Sequence, residues 1–113
     1  MLSKKRITQL FEQLNELLKA RGEIGEVGIV GGAVMCLVYN ARAATKDVDG
    51  IFEPASIIRN LAKQIASSES LPPDWLNDSA KGYIMPGFAK QEVLAFSNLR
   101  IWAPEPRYML AMK

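Results

Sequence analysis

The chain has 113 residues, 49% of them apolar and 23% charged, with a formal net charge of +2. That length holds one globular domain with a small core and excludes two, and the composition excludes a disordered polyelectrolyte. With no histidine and one cysteine, Cys36, the chain has no Ser-His-Asp or Cys-His catalysis, no His-containing zinc site and no internal disulfide.

The elements follow in chain order. Ser3 is a suitable N-cap, and Ile7, Leu10, Phe11, Leu14, Leu17 and Leu18 recur at helical spacing, which predicts a helix to about Arg21. Gly22 and Gly25 stop it. Val27, Ile29 and Val30 predict a short buried strand. Gly31-Gly32 breaks that strand, and residues 33–39 read as a second helix, in which Cys36 is expected to be a buried structural thiol. Residues 40–46 form a polar connection, and residues 47–52 alternate as a second strand. Pro54 opens a third helix with Ile57, Ile58, Leu61, Ala62 and Ile65 on its apolar face. Residues 67–73 read as a loop. Residues 74–80 read as a single helical turn capped by Asp74, and residues 83–85 as a weak strand. Residues 93–96 and 99–102 predict a hairpin turning at Ser97-Asn98. Pro104 and Pro106 then open a last helix from residue 107. The order predicts a single α/β (α+β) domain over residues 1–113, with helices packed on a small mixed sheet.

The net charge is too small to argue nucleic-acid binding, and the one basic run, Lys4-Lys5-Arg6, reads as a solvated helical turn. No stretch is long and apolar enough to span a membrane and no signal peptide opens the chain, so the expectation is a cytoplasmic protein with no membrane association.

Two features carry chemistry. Gly31-Gly32 lies between a strand and a helix, where the backbone can approach a ligand closely and the helix start offers N–H groups to a phosphate. Asp47-Val48-Asp49 opens a strand, so both carboxylates share one side and Val48 faces the core. Two like charges so close are costly without a cation between them. Any metal must take oxygen ligands, which points to Mg²⁺ or Mn²⁺.

Strand, Gly-Gly, helix, then a strand opening with Asp-hydrophobic-Asp resembles the DNA polymerase β nucleotidyltransferase superfamily. The stretch Gly31-Gly32-Ala33-Val34-Met35, with Tyr39, Arg42 and Thr45-Lys46-Asp47-Val48-Asp49, is similar to the branch of AbiEii-type abortive-infection toxins and related uncharacterised bacterial nucleotidyltransferases. Asp74-Trp75-Leu76-Asn77-Asp78 and Tyr108-Met109-Leu110-Ala111-Met112-Lys113 also look like later segments of that branch.

The resemblance implies that Gly31, Gly32, Lys46 and Lys113 bind the nucleotide. Asp47 and Asp49 would be the catalytic and metal residues, holding Mg²⁺ or Mn²⁺. The reaction would transfer a nucleoside monophosphate from a nucleoside triphosphate to a hydroxyl of an RNA, a protein or a small molecule. An antitoxin is an implied partner. Gly50 stands where the family has an apolar residue. The family's third carboxylate has no clear match; Glu92 is placed best by strand order and Asp78 is the other candidate. Relatives continue past the lysine into further helices. The chain therefore reads as cut short, inactive or weakly active alone. It is expected to form a homo-oligomer or hetero-complex burying Tyr108, Met109, Leu110 and Met112, together with the hairpin of residues 93–102.

Two other readings compete. A Rossmann unit fits poorly: Val30 and Ala33 take glycine positions counted from Gly28, and Ala33 and Cys36 take them counted from Gly31. A catalytically incomplete nucleotidyltransferase fold acting as a binding or regulatory module fits the missing third carboxylate. Trp75 offers a ring for base stacking, but beside Pro72-Pro73 and Leu76 it reads first as a packing anchor.

Overall fold

Ser3 starts the first helix because its hydroxyl satisfies a backbone donor that the helix leaves open: Oγ accepts from Arg6 N at 3.1 Å. The structure, a computed structural model of the chain, describes residues 1–78 and 90–105. A short strand, β1 (Leu2–Ser3), leads into α1 (Lys4–Ala20), whose buried stripe comprises Ile7, Leu10, Phe11, Leu14, Asn15 and Leu18. β2 (Gly25–Val30) follows, then α2 (Gly32–Leu37), β3 (Ala44–Thr45), β4 (Val48–Glu53) and α3 (Ala55–Glu69). α3 buries Ile58, Leu61, Ala62, Ile65 and Ala66. β5 (Leu76–Asn77), β6 (Lys90–Ala95) and β7 (Leu99–Pro104) complete the described elements.

The five-stranded sheet has the order β5-β4-β2-β7-β6. It is mixed: β2 pairs antiparallel with β4 and parallel with β7, β4 is parallel to β5, and β6 is antiparallel to β7. The expected α+β class, helices on a small mixed sheet, is therefore what the chain adopts. Alternation sends Val27, Ile29, Val48, Phe52, Leu99 and Ile101 into the core, each nearly or wholly inaccessible. α1 and α3 cover this side; a Cβ built on Gly25 would lie 3.1 Å from Leu18 Cδ1 and 2.9 Å from Ile58 Cδ1. The last turn of α3 is tied to the first turn of α1 by Arg6 Nη2 and Glu69 Oε1 at 2.6 Å. That hydrogen bond holds the Glu69 carboxyl below its ordinary range.

Four local expectations are corrected. The polar connection contains β3, which pairs with β1 through Leu2–Thr45 and Ser3–Ala44; a two-residue strand has no period to read. α3 runs on to Glu69, past the expected loop start at residue 67, because Ser67 and Ser68 do not break a helix whose Ala66 is still buried. The single turn expected from Asp74 is replaced by β5, since Trp75 and Leu76 are drawn into the core and Val48 N donates to Trp75 O at 2.6 Å. β7 runs two residues past the expected strand end at 102, to Pro104, which lies in the antiparallel pairing with Lys90. The expected strand at 83–85 and helix from 107 lie outside the described residues. Among the described residues no helix is long and apolar enough to cross a membrane.

Candidate nucleotide and metal site

β2 and β4 bring the two sequence features together. Val30, the last residue of β2, is paired with Asp49, so the Asp-x-Asp segment lies beside the turn into Gly31. Gly31 has φ 66° and ψ −136°, a region that essentially only glycine occupies. A Cβ placed on it would meet Asp49 Oδ2 at 4.0 Å, which puts that carboxylate directly against the glycine turn. Gly32 is required by space: a Cβ there would lie 2.7 Å from Thr45 Oγ1 and 2.9 Å from Arg42 Nη1.

β4 begins at Val48, so Asp47, expected to open the strand, immediately precedes it and Asp49 lies within it. Val48 between them is wholly buried, while both aspartates are half-exposed. The Asp47 carboxyl is raised above its ordinary value of 3.8. Partial burial is the main cause, followed by the charges of Asp49 and then Asp74, with Lys46 pulling the other way. Two carboxylates in mutual repulsion at a glycine turn fit a divalent cation with oxygen ligands. Among the described residues, no three acidic or other ligating side chains converge closely enough to hold a metal by themselves.

The acidic neighbour that the sequence did not reveal is Asp74. β5 lies parallel to β4, with Leu76 level with Val48 and Asn77 level with Asp49. Asp74, in the turn that precedes β5, is close enough for its charge to act on Asp47. The two residues first considered as a third carboxylate are elsewhere. Glu92 is on β6, three strands from β4, about 14 Å away at the usual strand spacing. Its Oε1 faces Arg100 Nε at 3.7 Å. Asp78 Oδ2 instead accepts from Arg59 Nη2 of α3 at 2.6 Å. That contact places it against α3, on the helix-covered side of the sheet.

Lys46 is exposed and adjacent to Asp47, while Lys113 lies outside the described residues. Two further side chains belong to the site. Thr45 is buried, and its Oγ1 donates to Asp47 O at 3.2 Å, bracing the segment that carries the aspartates. Arg42 reaches Gly32 from the loop before β3. Both stand in the stretch that carries the family resemblance, but only the β1–β3 pairing shows what they touch.

α2 has only six residues, so few peptide dipoles add at its start. Gly50, the departure from the family pattern, is explained by crowding: a Cβ there would run into the backbone oxygen of Gly28 on the neighbouring strand.

Cys36 is a buried thiol whose Sγ donates to Ala43 O at 3.8 Å, the structural role expected of it. Trp75 is 1% exposed, with Nε1 donating to Ala62 O at 2.9 Å and its ring tilted against Phe11. It is a packing anchor and has no face open to a base. Comparison with known proteins found no matching family model, no matching curated protein and no matching solved structure.

Proposed function

We propose that this chain is a metal-dependent nucleotidyltransferase domain of the polymerase β type, acting on a nucleoside triphosphate. The observation that carries the reading is the Asp49 carboxylate set against Gly31, with the Asp47 carboxyl near enough to feel its charge. Asp47 and Asp49 are the residues that would hold Mg²⁺ or Mn²⁺. When bound, such a cation neutralises triphosphate oxygens and eases deprotonation of an attacking hydroxyl. The Gly31-Gly32 backbone admits the phosphates closely because no side chain stands there. Lys46 adds positive charge at the rim, and Thr45 keeps the aspartate segment in place through Asp47 O. The acceptor is a hydroxyl of an RNA, a protein or a small molecule, with an antitoxin and a second copy of the chain as proposed partners.

One observation favours a second reading, a binding or regulatory module without transfer activity: no third ligating side chain joins the pair among the described residues. Calorimetric titration of the full chain with MgATP, MgGTP, MgCTP and MgUTP, with and without Mg²⁺, tests both. Triphosphate binding that needs Mg²⁺ and is lost in Asp49→Asn supports the site, and pyrophosphate release with a labelled acceptor assigns transfer. Binding without release gives the module reading. Equal affinity in wild type and Asp49→Asn, with no metal effect, contradicts both.

A further inference from the structure

We propose that Arg42 is the phosphate-gripping residue of this site and makes it selective for triphosphates over monophosphates; the inference rests on the nucleotide reading above. Arg42 Nη1 lies 2.9 Å from the point where a Gly32 Cβ would stand, while Asp49 Oδ2 lies 4.0 Å from the matching point on Gly31. Consecutive Cα atoms are only about 3.8 Å apart. The turn thus passes from an anionic to a cationic side within one residue. A metal-bound triphosphate needs such a pair of sides: some of its oxygens go to the cation held by carboxylates, and the others keep negative charge that calls for a donor.

The surroundings of Arg42 support this role. Arg6, Arg59 and Arg100 each face a carboxylate, at 2.6, 2.6 and 3.7 Å. Arg42 has no ion pair or hydrogen bond among the described residues, and its side chain is exposed. Its backbone, in contrast, is held on both sides. Ala41 N donates to Met35 O at 2.9 Å before it, and Ala44 pairs with Ser3 after it. A guanidinium whose backbone is fixed and whose five donors have no protein partner is suited to a bidentate grip on phosphate oxygens. The six-residue α2 is too short to supply that charge in its place.

Titrating the full chain with MgATP, inorganic tripolyphosphate with Mg²⁺, AMP, and Mn²⁺ alone tests the proposal. Arg42→Met should weaken MgATP and tripolyphosphate by about tenfold or more, the scale of a lost charge-assisted contact. AMP and Mn²⁺ affinities should stay as in wild type, and Arg42→Lys should recover part of the loss. Arg42→Gln serves as the second neutral variant should the methionine variant fail to fold by circular dichroism. Wild-type MgATP affinity in folded Arg42→Met or Arg42→Gln overturns the role of Arg42 and leaves the site reading standing, as does an equal loss for AMP and MgATP. A wild-type chain that binds neither Mn²⁺ nor MgATP overturns the site reading and this proposal with it.

Discussion

Replacing Gly31 with L-alanine isolates backbone strain from every other contribution at the site. The nearest atom to the added methyl would be Asp49 Oδ2 at 4.0 Å, an ordinary contact, so packing adds nothing to the cost. The dihedrals φ 66° and ψ −136° cost an L-residue about 2 kcal/mol. Loss of unfolded-state freedom offsets about 0.5 kcal/mol of that. The net loss of about 1.5 kcal/mol corresponds to a fall in Tm of roughly 6 °C for a chain of this size. A D-alanine at the same position has the mirror-image preference. Reversing both signs gives φ −66° and ψ 136°, the comfortable polyproline II region of an L-residue. The D-variant should therefore keep the wild-type Tm or gain a few degrees, of order 0.5 kcal/mol. Both proteins can be assembled from two synthetic segments joined at Cys36, and calorimetric melting compares them directly. Equal losses for the two enantiomers, or no loss for either, would refute the argument that dihedral strain dictates glycine here.

Asp47→Asn should stabilise the metal-free protein at neutral pH. The folded-state carboxyl is raised above 3.8 by burial and by Asp49 and Asp74, so stability falls as pH rises from 3.8 through the raised value. The variant's advantage should vanish below pH 3.8 and reach about 0.5 kcal/mol at neutral pH, a small figure because the group is largely solvated. Melting curves with and without Mg²⁺ read it out, and a variant no more stable than wild type at pH 7 would count against the repulsion. Asp74→Asn should weaken Mg²⁺-dependent triphosphate binding by roughly two- to fivefold, the range of one solvent-exposed charge interaction. Glu92→Gln, three strands away, should leave it unchanged, and the opposite ranking in titration would mean that the acidic neighbour has been assigned to the wrong strand.

Much of this protein is local and therefore legible in its sequence. α1 and α3 follow from apolar residues at helical spacing, and α1 begins at Ser3 because a cap is satisfied by its own next turn. The exposure of Asp47 and Asp49 follows from the two-residue period of a strand, with Val48 as the buried member between them. The β6–β7 hairpin was readable for the same reason, since its turn joins neighbours in sequence. The absence of histidine already excludes imidazole ligands from any metal site.

What surrounds the aspartate pair was decided by tertiary structure. Two-residue strands carry no period, so neither β3 nor β5 could be read, yet β3 holds Thr45 and positions Arg42, and β5 delivers Asp74. Parallel pairing of β5 with β4 is a long-range event, set by how α3 packs back on the sheet. It fixes a register in which Asn77 lies level with Asp49. A shift of one residue exchanges the two sides of a strand. Packing against α3 brings Asp78 to Arg59, while Asp74, in the turn that precedes β5, acts on Asp47. No local pattern in the chain distinguishes those two aspartates; their different neighbours, Arg59 on α3 for one and Asp47 for the other, are met only in the folded chain.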